Sequence, residues 1–153
     1  VALAVSYAGV VLVFGHELSP EALAVIEAKY GPVNVFAAFF HSPRMDAQPY
    51  HVQRCFRELG AKGADLTGNV TTLIALPGLS VASTLVAAAY AGITGSLPVV
   101  LNLIKQTNPE TQRAFYAPSP ELPWVDLQSF RNNEGRRARA QASFHKHQQP
   151  KAA

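Results

Sequence analysis

Val70-Thr71-Thr72-Leu73-Ile74-Ala75-Leu76 reads as an apolar strand that enters Pro77-Gly78-Leu79-Ser80, and Val81 to Ala91 continues at once as a helix of small residues. A strand that turns directly into a helix aims the N–H groups of the helix N-terminus at the carboxyl edge of a parallel sheet, where anionic ligands bind. Pro77 fixes the turn, Gly78 permits close approach, and Ser80 is a natural N-cap whose hydroxyl can serve the helix or a ligand oxygen. The pattern points to a phosphate-bearing ligand; a plain strand-to-helix turn is the competing reading.

The same alternation extends outward from this stretch. Gly9 to Phe14 is a continuous apolar strand, Gly15-His16-Glu17-Leu18 a loop, Ser19 a cap and Pro20 the first position of a helix that runs to Tyr30. Val33 to Phe40 is a second strand, and its apolar character, interrupted only by Asn34, predicts burial on both faces. A loop, His41-Ser42-Pro43-Arg44, leads to a helix from Pro49 to Leu59. After the turn Gly92 to Ser96, Leu97 to Ile104 forms the fourth strand. The resulting βαβαβαβ order predicts an α/β fold, a Rossmann-like, mostly parallel sheet with helices on both faces. Beyond Lys105, Gln112 to Ala117 is a candidate edge strand, Trp124 to Leu127 the last apolar anchor, and Leu127 to Phe144 a basic C-terminal helix. One domain over residues 9–144 is expected, with a disordered tail over 145–153.

Of the 153 residues 48% are hydrophobic and 15% charged, which is the balance of a globular chain able to bury a core. The net charge of +3 is unevenly placed: Arg131, Arg136, Arg137, Arg139, Lys146 and Lys151 face Glu134 alone, and the rest of the chain is slightly acidic. That segment either meets phosphates or keeps an exposed helix soluble. Cys55 is the only cysteine, so neither a disulfide framework nor a cysteine metal cluster forms within one chain, and a cytoplasmic home is expected. Val1 to Phe14 has no basic leader and is too short to span a bilayer.

No Gly-x-Gly-x-x-Gly follows the first strand and no Gly-Lys-Ser/Thr phosphate loop occurs, which argues against ordinary dinucleotide binding and triphosphatase activity. No metal or other cofactor is expected, because the acids are scattered singly and His145 and His147 fall in the charged tail. At the carboxyl edge, Gly15 and His16 follow the first strand, His41, Ser42 and Arg44 the second, Pro77, Gly78, Leu79 and Ser80 the third, and Lys105 the fourth. In a doubly wound sheet these loops converge on one crevice, so these ten residues are the candidate ligand contacts. His16, His41 and Lys105 are also the candidate catalytic groups, with loop capping or a solvent-facing role as the alternative for each histidine.

Four segments, Val11 to Glu21, Leu76 to Ser80, Gly92 to Pro98 and Asp126 to Arg131, together resemble a small CRISPR-associated family of type III systems, the fifteenth Csx group, which is similar to CARF domains. The resemblance covers Val11 to Arg139. It implies a Rossmann-like homodimer that binds cyclic oligoadenylate, with the tetra-adenylate ring the expected ligand, across its two-fold axis. Sequestering that second messenger would damp the CRISPR effectors that respond to it. Two other functions compete with sequestration: a metal-independent ring nuclease using ribose 2′-hydroxyl attack, and a generic Rossmann-like module for a nucleotide or a protein. Neither a membrane nor a long nucleic acid is expected as a partner.

Overall fold

The computed structural model describes residues 9–40, 48–78 and 80–148. Its elements follow in the order β1 (Gly9–Val13), α1 (Pro20–Tyr30), β2 (Val33–Ala37), α2 (Gln48–Ala61), β3 (Thr72–Ala75), α3 (Ser80–Thr94), β4 (Val99–Leu101), β5 (Leu103–Thr107), β6 (Ala114–Pro118), β7 (Trp124–Asp126) and α4 (Leu127–Gln148). Five strands form one sheet in the order β2-β1-β3-β4-β7, and β5 pairs with β6 as a separate hairpin. The first four strands of the sheet are parallel and β7 closes it antiparallel, so the architecture is α/β with a mostly parallel, Rossmann-like sheet.

Strand periodicity explains the two-sided core. Val10, Leu12 and Phe14 point to one face of β1 and pack with Val52, Cys55, Phe56 and Leu59 of α2 and Val86 and Tyr90 of α3. Val11 and Val13 point to the other face, where Ile26 of α1 joins Val33, Leu73, Ala75 and Leu101. A helix layer thus covers each face, which is why β1 and β3 are buried at every position. The α2 layer also holds the end of β2: Arg54 donates to the Phe39 carbonyl (2.9 Å), Lys62 donates to the Ala37 carbonyl, and both cations pair with Glu58.

Several elements differ from the sequence expectation. β2 is an edge strand and is not buried on both faces; Val35 is 39% exposed. Its apolar run matched a buried strand because pattern does not reveal strand order. The expected fourth strand over Leu97 to Ile104 breaks at Asn102. There the backbone N–H donates to Pro123 O (2.9 Å), the carbonyl accepts from Ser119 N–H (2.9 Å), and Nδ2 donates to Leu122 O (2.9 Å). These bonds tie Asn102 to the proline-rich connection, and β5 leaves the sheet. The strand expected over Gln112 to Ala117 pairs with β5 instead of forming the sheet edge, which β7 supplies. α3 continues past Gly92 to Thr94, and α4 runs to Gln148, four residues beyond the expected end at Phe144.

Among the described residues, no helix is long and apolar enough to cross a membrane.

Candidate functional site

The chain places β2 on one side of β1 and β3 on the other, so the direction of winding reverses between β1 and β3. In open α/β sheets ligands bind outside the carboxyl ends of the strands at such a reversal. A cleft of about 490 Å³ lies there. One wall is His16, Glu17, Leu18 and Ser19 after β1; a second is Ala75, Leu76, Pro77 and Gly78 at the end of β3; the third is Leu103 and Tyr116 of the hairpin.

Local sequence chemistry builds each wall. Gly15 is held against the third-strand turn: a Cβ there would lie 3.0 Å from Pro77 Cα and 3.2 Å from Pro77 C and O. The glycine therefore lets two backbone loops touch, which closes the floor of the cleft. Gly78 has φ +80°, a left-handed conformation that admits the sharp turn from β3 into α3, and the space around its Cβ position is open. α3 begins at Ser80, so the Ser80 hydroxyl stands at the first helical position and not in the cap as expected.

Ser19 joins two walls. Its hydroxyl accepts from the Ala22 N–H (3.0 Å), capping α1, and donates to the Tyr116 carbonyl (2.7 Å), strapping the hairpin to that helix. With both capacities used in structural bonds, Ser19 is a poor nucleophile. Ser19→Ala is expected to lose about 1–2 kcal/mol, the value of a cap with a further hydrogen bond. A lower urea midpoint at constant slope is the expected readout, and Ser19→Asn, which retains a capping oxygen, should recover part of it. No loss in Ser19→Ala would mean the hairpin is held by other contacts.

Of the ten expected contacts, the structure brings His16, Pro77 and Gly78 to the cleft lining, whereas Gly15 packs against Pro77 and Ser80 opens α3, neither of them in the lining. Lys105 lies opposite Tyr116 in the hairpin, on the strand face it shares with Leu103, and so fronts the cleft without lining it. His41, Ser42, Arg44 and Leu79 lie outside the described residues. The sequence reading missed Glu17, Leu18, Ser19, Leu103 and Tyr116 as lining groups. Tyr116 carried the one available signal, a large aromatic residue with a polar tip in a short strand that follows Arg113 and ends at Pro118; the residue is 55% exposed.

No protein-family model, curated protein or solved structure matches the chain. The chemistry of the cleft therefore rests on its own residues. Among the described residues, His16 is the one base and Glu17 the one acid in the lining, both exposed. Among the described residues no group of His, Cys, Asp and Glu is placed to hold a metal ion. Cys55 is buried on the core-facing side of α2 and burial pushes its thiol pKa up, partly offset by the Arg54 charge, so it is a core residue and not a nucleophile.

Proposed function

We propose that the cleft binds a phosphate-bearing nucleotide ligand, and that this ligand is a cyclic oligoadenylate, the tetra-adenylate ring, held between two copies of the chain and thereby sequestered from the effectors it activates. The observation that carries the reading is the position of the cleft: it opens at the winding reversal beside the N-terminus of α3. First-turn N–H groups of a helix have no partner within the helix and, with the helix dipole, favour a phosphate. Lys105 fronts the same opening and adds a cation. The exposed Tyr116 ring offers a stacking surface for adenine, and the Glu17 carboxylate an acceptor for its exocyclic amine. One cleft accommodates one part of the ring, and an isologous dimer supplies the rest by symmetry. Binding is favoured over cleavage by ribose 2′-hydroxyl attack because His16 and Glu17, the base and the acid of the described lining, are both exposed and form no ion pair with each other.

The test is incubation of the purified protein with labelled cyclic tetra-adenylate, followed by separation of bound ring from linear products. Retained intact ring is the expected result. Linear products would convert the reading to a ring nuclease, and no retention would remove the ring as ligand. Gly78→Asn is the matched variant. Asparagine tolerates the left-handed backbone, so stability should change by less than about 1 kcal/mol, while its side chain enters the open space at the cleft and should weaken binding at least tenfold. Undiminished affinity in that variant would move the ligand away from the α3 turn.

A further inference from the structure

α4 is a 22-residue helix with no buried residue, about 33 Å long at the usual rise. β7 runs antiparallel to β4, with Asp126 beside Val99, so α4 starts at the amino edge of the sheet, opposite the cleft. Its attachment is local: Leu127 N–H donates to Pro98 O (3.1 Å), and Gln128 Oε1 accepts from Leu97 N–H (2.9 Å). The helix sorts its charges by face. Glu134 binds Arg137 through two contacts (2.7 and 3.1 Å), and the hydrogen bond and charge of Arg137 hold the Glu134 carboxyl below its ordinary range. The other three arginines, Arg131, Arg136 and Arg139, have no carboxylate within ion-pair distance among the described residues.

Those three converge. With Asn132 and Gly135 they line a polar hollow of about 360 Å³, and the missing side chain of Gly135 makes its floor: a Cβ there would stand 3.3 Å from a terminal nitrogen of Arg139. Asn132 directs its oxygen to Gln128 Nε2 (3.2 Å), which leaves its own amide donor for another partner. At helical spacing Lys146 falls on the same side as Arg139, whereas Phe130 and Phe144 fall on the opposite side. Three guanidinium groups gathered without acids repel one another, and an external polyanion relieves that repulsion.

We propose that this face of α4 binds the phosphodiester backbone of a nucleic-acid strand, a second site independent of the cleft. Arg131 and Arg139 stand about 12 Å apart along the axis, so the array spans more than one phosphate and favours a chain over a single small anion. Guanidinium forks match phosphate oxygens, and amide donors such as Asn132 add neutral contacts. A lipid surface is the poorer fit, since an interfacial helix needs a continuous apolar face and α4 offers only Phe130 and Phe144 as large apolar groups beyond its first residue. The sequence shows a basic segment; only the geometry separates three uncompensated arginines from the one that Glu134 neutralises.

Fluorescence anisotropy of the full chain with a labelled mixed-sequence RNA of about 20 nucleotides, and with duplex DNA of the same sequence, tests this across a salt series. Binding to either polymer is expected, with log K falling linearly in log salt. The triple variant R131Q/R136Q/R139Q should bind roughly 100-fold more weakly near 0.1 M salt, and its slope should be smaller by about 2, the value of three lost single-strand phosphate contacts. Circular dichroism should be unchanged, because none of the three is buried. R137Q removes one positive charge as well, but from the compensated pair, and should weaken binding less than R131Q, R136Q or R139Q alone. An equal effect of R137Q would reduce the site to general basicity and overturn the proposal. So would an unaltered triple variant, or binding to vesicles containing phosphatidylserine with none to either polynucleotide.

Discussion

Replacing Phe14 with alanine is expected to cost about 3–5 kcal/mol of folding stability, the largest effect of any single truncation at the base of the cleft. Phe14 is fully buried, its ring centroid lies 5.2 Å from that of Phe56, and its N–H donates to the Ala75 carbonyl (3.2 Å). The ring packs on α2 in the core cluster that also holds Ile74 of β3, and the main-chain N–H ties the end of β1 to β3. Truncation leaves a cavity that the close-packed neighbours Val52, Cys55 and Leu59 fill only in part. A domain of this size has about 5–15 kcal/mol in total, so the variant should be partly unfolded or melt far below the parent. Phe14→Leu, which conserves most of the volume, should lose less than about 1.5 kcal/mol. Phe130→Ala is the contrast: that residue is 59% exposed, and the loss should stay within about 0.5 kcal/mol. Urea unfolding measures all three. A small effect at Phe14 would mean that α2 is not packed on β1 through this ring.

Most of the parallel sheet was legible because its information is local. The apolar run at β1, the Ser19-Pro20 start of α1 and the Pro77-Gly78 turn each sit within a few residues, and the structure shows the Ser19 cap on Ala22 directly. Strand order was not legible, since Val33 to Ala37 has the composition of a central strand yet occupies an edge. The break at Asn102 was hidden for another reason. One polar residue in Val-Val-Leu-Asn-Leu-Ile reads as a tolerated interruption, and its partners lie near residues 119–123, beyond the reach of any periodicity.

The candidate site divides along the same line. Loops after β1 and β3 were readable as walls, because topology sends both to the carboxyl edge. The third wall was not, because it depends on Ser19 reaching Tyr116 across 97 residues of chain. A hairpin that has left the sheet cannot be recognised from a strand-like pattern alone. The face-sorting of α4 was also invisible: arginine count is in the sequence, but the pairing of Arg137 with Glu134, which leaves the other three uncompensated, is a property of side-chain geometry.

Gly15→Val should abolish ligand binding and lower stability by about 1–3 kcal/mol, through a clash that no rotamer relieves. The atoms facing the new Cβ are Pro77 Cα, C and O at 3.0–3.2 Å, all backbone, so the neighbour can give way only by moving the whole turn. That turn is anchored on its strand side, where Ala75 lies beside Val13 in the parallel ladder and accepts the Phe14 N–H. The displaced part is then Pro77-Gly78, which carries the second wall of the cleft and leads into α3. Gly15→Ala adds only the Cβ and needs a shift of a few tenths of an ångström, so its losses in both stability and affinity should be intermediate. Changing Pro77 to alanine in the Gly15→Val background should not restore binding, because the contact is with main-chain atoms. Thermal melting and retention of labelled cyclic tetra-adenylate read the two consequences separately. Parental stability in Gly15→Val would show that the β1 and β3 loops separate freely, and a cleft whose floor opens without cost could not hold a phosphate at the α3 N-terminus in a fixed position.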